Sequence, residues 1–120
     1  MKSPETNTTV FQWFEGSVKA KFIKNDAGNS KYKLIELEIQ KVDIQDWNFR
    51  GSILGVHLTD TADKIPGILK KAGCVEIEQN EVYGFAKCKD KWNAMWFLNQ
   101  GKLESFRVYE SGYITIPMSK

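Results

Sequence analysis

Apolar and polar positions alternate along most of this chain. Val18, Ala20 and Phe22 share one parity with Lys19 and Lys21 between them, and Ile35, Leu37 and Ile39 alternate with Glu36 and Glu38. A period of two marks a half-buried strand. Between the two runs, NDAGNS (Asn25 to Ser30) is turn chemistry with a glycine available for positive φ. Pairing Asn25 with Ser30 predicts a hairpin in which Val18 faces Leu37, Ala20 faces Ile35 and Lys19 faces Glu36. Val18, Ala20, Phe22, Ile35 and Leu37 are then buried on one face, and the other face carries charges of opposed sign.

The next stretch, VDIQDWNFRGS (Val42 to Ser52), is irregular and is expected to loop Trp47 and Phe49 back to the core. SILGVHL (Ser52 to Leu58) reads as a strand. TDTADKIPGILKKAG is the one convincing helix. Asp60, Thr61 or Asp63 can cap it, Pro66 fits its first turn, and Ile65, Ile68, Leu69 and Ala72 form one apolar stripe. Lys70 and Lys71 suit the negative end of its dipole, and Gly73 stops it.

Beyond Gly73 the pattern is β to the end. CVEIE and EVYGFAKC predict a hairpin about Gln79–Asn80, WNAMWFL and LESFRVYE one about Gln100–Gly101, and YITIPM a last strand. The fold class is therefore mainly β (α+β): a small antiparallel β-barrel or sandwich of about eight strands, with one short helix after the third strand. An OB-like barrel also places a helix there, although too many strands follow it for a bare OB-fold. Residues 1–9 are expected to form a flexible polar tail and residues 10–120 a single globular domain.

In the predicted Gln100–Gly101 hairpin, Leu98 opposes Leu103, Trp96 opposes Ser105, Ala94 opposes Arg107 and Trp92 opposes Tyr109. The other face, with Asn93, Met95, Phe97, Glu104, Phe106 and Val108, is apolar enough to be the main core side. The mixed face is read in two ways. Either the helix or the Trp47–Phe49 loop covers it, or it is a binding face built from Trp92, Trp96, Ser105, Arg107 and Tyr109, since aromatic walls with a few convergent polar groups make ligand sites.

Charge adds little. Seventeen Lys and Arg stand against 15 Asp and Glu, and only Arg50 and Arg107 are arginines. That balance argues against sequence-specific DNA reading, which favours arginine. The lysines Lys19, Lys21, Lys24, Lys31 and Lys33 resemble a phosphate track, but Glu36 and Glu38 lie among them. Asn7-Thr8-Thr9 matches a glycosylation sequon, without meaning in an unsecreted chain.

Catalytic sets are absent from the sequence. His57, the one histidine, is expected to point outward between an inward Val56 and Leu58. Cys74 and Cys88 lack C-x-x-C spacing, and with no signal-like N-terminus they are expected to be free thiols in a cytoplasmic protein. Lysines 87, 89 and 91 around Cys88 would favour a thiolate if it were exposed. No metal site, cofactor or membrane association is expected.

The chain thus reads as a small soluble non-catalytic interaction protein (an inhibitor, an immunity-type protein or an adaptor) that binds another macromolecule, expected to be a protein. A second reading is an OB-like single-stranded nucleic-acid binder with Trp92, Trp96 and Tyr109 as stacking platforms. A third is a small-ligand β-barrel using the same face.

Overall fold

The structure, a computed structural model, describes residues 8–24, 32–89 and 91–111. The strands are β1 (Thr8–Trp13), β2 (Val18–Lys24), β3 (Tyr32–Gln40), β4 (Ser52–Ile53), β5 (Val56–His57), β6 (Val75–Gln79), β7 (Tyr83–Lys87), β8 (Trp92–Asn99) and β9 (Lys102–Glu110). The helix α1 spans Ile65–Lys71. Seven strands make one antiparallel sheet in the order β1-β2-β3-β9-β8-β7-β6. Two meanders meet where β3 pairs with β9, and the crossover between them carries the β4–β5 hairpin and α1. The sheet does not close into a barrel. Hairpin and helix instead form a second, sandwich-like layer over one face.

That covered face holds the core. Trp96, Phe106, Leu103 and Ile39 from the sheet meet Ile65 and Leu69 from α1 and Val56 from β5, all with no exposed surface. Each such side chain contributes about 1.5–3 kcal/mol by leaving water. The helix keeps its predicted core side and stop: Ile65 and Leu69 are buried, Pro66 sits in the first turn, and Gly73 takes φ +97° just beyond the last turn. The expected side-chain cap from Asp60, Thr61 or Asp63 does not form, because a 3₁₀ turn over Ala62–Lys64 precedes the helix and makes Lys64 its N-cap. The Ser52–Leu58 segment is a two-strand hairpin rather than one strand, turning at Leu54 and Gly55 with φ 55° and 88°.

From Val18 to Lys21 the β2–β3 hairpin is shifted by two residues from its predicted register, so Val18 opposes Ile39, Ala20 opposes Leu37 and Lys19 opposes Glu38. A bulge then skips Ile35 and pairs Phe22 with Leu34, one residue from the predicted register. A slip of two preserves side-chain orientation, whereas a slip of one inverts it. Ala20 and Ile35 are buried, while Val18, Phe22 and Leu37 are half-buried. The Asn25–Ser30 turn and the YITIPM strand lie outside the described residues, as do Met1 to Asn7 of the expected tail. Its last two positions, Thr8 and Thr9, open β1.

At the β8–β9 hairpin the slip is one residue. Leu98 opposes Leu103 as expected, but a bulge then pairs Phe97 with Ser105 and skips Glu104. Trp96 therefore faces Phe106 and Ala94 faces Val108. The main core side is thus the tryptophan side, which corrects the sequence-based assignment. An extra residue on one strand is enough to turn all of its later side chains over.

The cysteines are also corrected. Cys74 and Cys88 form a disulfide across the open end of the β6–β7 hairpin, beside the Val75–Lys87 pair. Neither is a free or reactive thiol. Asn80 begins this hairpin's turn rather than sitting at its tip, because its Oδ1 accepts the N–H groups of Val82 and Tyr83 at 2.7 and 2.9 Å. The tip therefore moves toward the C-terminus and brings the two cysteines opposite each other.

Candidate functional site

The five residues expected to share a binding face are divided between the two faces of the sheet. Trp96 is fully buried, its ring stacked on Phe106 at 5.8 Å and its indole N–H donated to Gln79 Oε1 at 2.8 Å. It cannot reach a ligand. Trp92 is half-buried on the same face and packs against the core. Ser105, Arg107 and Tyr109 lie on the opposite face, which no described helix or strand covers.

On that opposite face, Arg107 bridges two buried carboxylates. Its Nη2 lies 3.3 Å from Glu38 Oε2 and its Nε 3.5 Å from Glu36 Oε2, with Lys21 Nζ 3.9 Å from Glu36 Oε1. A cation already shared by two anions holds neighbouring strands together and is poorly placed to take up an anionic ligand. Burial raises the Tyr109 hydroxyl above its ordinary value, while its hydrogen bond to Asn93 and the Arg107 charge pull the other way. His57 points outward as expected, with Nδ1 3.7 Å from Asp60 Oδ2.

A different group of residues carries the exposed chemistry. The layer formed by α1 and β4–β5 packs over the sheet between β3 and β6, so the aromatics that β1 carries on the same face stay in solvent. Phe11, Trp13, Phe14 and Trp47 are 50, 48, 47 and 43 % exposed. They form two ring groups that meet in sequence at Trp13–Phe14: Phe11 lies 6.4 Å from Trp13 and 5.8 Å from Phe22, and Phe14 lies 6.5 Å from Trp47 and 6.4 Å from Phe49.

Local chemistry builds this cluster. After β1 the chain reverses through Phe14, Glu15 and Gly16, all at positive φ (55°, 55° and 91°). A bulky residue takes that conformation only when its surroundings impose it, at a cost of about 1–3 kcal/mol. Buried Ser17 follows. Its Oγ donates to the Gln40 carbonyl at 2.7 Å and accepts the Phe49 N–H at 2.8 Å. Gln40 Nε2 donates to the Gly16 carbonyl at 3.0 Å, and Asn48 Oδ1 accepts the Val42 N–H at 2.7 Å. These bonds fold the Lys41–Arg50 loop against the Phe14 turn and so bring Trp47 and Phe49 to the ring cluster.

The two sheet edges differ. β6 carries Glu76 and Glu78, an irregular register and a positive φ of 52° at Glu76, devices that discourage strand pairing. β1 reads TTVFQW, with no charge, proline or bulge. Its outer edge from Thr9 to Trp13 has no partner strand among the described residues.

The sequence signal for this site was VFQWF, in which apolar rings occupy both parities around Gln12. That pattern is unsuited to a strand with one solvent face. No protein-family model, curated protein or solved structure matches this chain. Among the described residues no helix is long and apolar enough to cross a membrane.

Proposed function

We propose that this protein is a small non-catalytic interaction protein whose partner is another protein, taken up along the outer edge of β1 as an added strand. One observation carries the reading. An uncharged edge strand, with no partner strand from Thr9 to Trp13 among the described residues, leads into half-exposed aromatics, while the other edge of the sheet is charged and kinked. Main-chain pairing supplies affinity in such additions, and side-chain pockets supply selectivity. Tryptophan, here Trp13 and Trp47, is also among the side chains that most often dominate interface energy.

The nucleic-acid reading has less support. Trp96 is sealed in the core, and the hairpin cations Lys19 and Lys21 face Glu38 and Glu36. The cytoplasmic expectation came from the N-terminal sequence and implied free thiols, which the Cys74–Cys88 bridge replaces. A disulfide is better suited to an oxidising compartment.

A photo-crosslinking residue in place of Phe11 tests the reading in the native host, with Val82 as the control because it is 61 % exposed away from β1. The expected result is one discrete protein adduct from position 11 and none from position 82. A second copy of this chain as the adduct would identify self-association as the use of the edge. The same adducts from both positions, or a nucleic-acid adduct, would overturn the proposal.

A further inference from the structure

Trp92 is half-buried, and the space beside it is a groove of about 330 Å³ on the covered side of the sheet, away from the β1 edge. Leu34, Leu37 and Val108 from the sheet, Ile53 and Leu54 from the β4–β5 hairpin, and Trp92 itself form most of its wall. Cys88 of the disulfide completes the wall, and Lys89 is the single charged residue lining it.

Such a wall needs an apolar occupant, and its volume is at the lower end of small-molecule sites, which run from roughly 300 to 1,000 Å³. The single lysine decides what else the occupant carries. Lys89 has no carboxylate partner among the described residues. Its stem lies over Gly73 at the end of α1, where an added Cβ would come within 2.6 Å of Lys89 Cε and 3.3 Å of Nζ. The side chain is exposed, and its flexible stem passes over the end of α1 at the rim of the groove. One cation suits a monoanion, whereas a phosphate dianion calls for more donors than this rim provides.

We propose that the groove binds a small amphipathic carboxylate, its aliphatic or aryl body against Trp92 and the leucines and its carboxylate on Lys89 Nζ. The site is separate from the β1 edge, and the proposal stands independently of strand addition.

The four tryptophan indole N–H signals allow a direct test by ¹⁵N–¹H NMR, with Trp92 assigned from a Trp92→Phe variant. Decanoate and decanol are the probes. Decanoate should shift the Trp92 signal saturably and leave those of Trp13 and Trp47 in place. Lys89→Gln should weaken decanoate by roughly three- to tenfold and leave decanol nearly unchanged, because only the charged head loses a partner. Leu54→Glu, at an exposed hairpin tip, should abolish binding of both probes. The proposal is overturned by a non-saturating response, by shifts confined to Trp13 and Trp47, or by a Lys89→Gln variant that binds decanoate as the parent does.

Discussion

Gly84 on β7 lies directly opposite Trp96 on β8, and the indole occupies the space where a Gly84 side chain would be. The absence of a Cβ lets the largest core side chain lie flat against the neighbouring strand and stack on Phe106. Gly84→Ala should therefore cost about 1–3 kcal/mol through forced displacement of the ring. Gly67, inside α1 with open space around it, is the contrast: Gly67→Ala should be neutral or stabilising by up to about 1 kcal/mol. Urea unfolding of both variants checks the pair, and equal midpoints would contradict the packing described.

Much of this architecture is legible in the chain, because alternation is a local property. The faces of β2 and β3, the apolar stripe of α1 and its stop at Gly73 follow from periodicity and turn chemistry alone. Register is less accessible. The bulge at Glu104 leaves no mark in a pattern where Phe106, Val108, Arg107 and Tyr109 can sit plausibly on either face, so Ser105, Arg107 and Tyr109 were grouped with the wrong tryptophans. The disulfide depends on the same kind of detail, since moving the hairpin tip past Asn80 is what brings Cys88 opposite Cys74. The aromatic edge was missed because exposure depends on how far a seven-residue helix reaches across the sheet, which no local pattern encodes.

Ser17→Ala probes the bonds that hold the aromatic cluster. The buried hydroxyl serves both the Gln40 carbonyl and the Phe49 N–H, so its removal should cost about 1–3 kcal/mol. It should also change the environment of the Trp47 indole, visible as a shifted NMR signal. Unchanged stability with an unmoved Trp47 signal would show that the loop is held by other means.

The disulfide should be quantitative in the purified protein. Iodoacetamide should add no mass before reduction and two labels after it. A double Cys74→Ser, Cys88→Ser variant should lose about 3 kcal/mol, the loop-closure expectation for a bridge of this span. Labelling without reductant would restore the free-thiol assignment.

The raised Tyr109 hydroxyl makes stability depend on alkaline pH. The folded state keeps this proton to a higher pH than the unfolded chain does. The associated stabilisation is therefore complete below the unfolded value of 10.0 and fades as pH rises through the folded one. Urea unfolding at about pH 8 and about pH 11 should show a larger loss for the parent than for Tyr109→Phe. Parallel losses would assign the alkaline dependence to other groups.

Amide hydrogen exchange across β1 tests strand addition most directly, with the crosslinked partner supplied as purified protein. In the free protein, alternate amides between Thr9 and Trp13 point away from β2 and should exchange quickly. Partner binding should protect that alternating set, with little change along β6. Protection of the Trp47 loop alone, or no protection in β1, would mean that the partner uses the aromatic surface without joining the sheet, and the account of the β1 edge would be wrong.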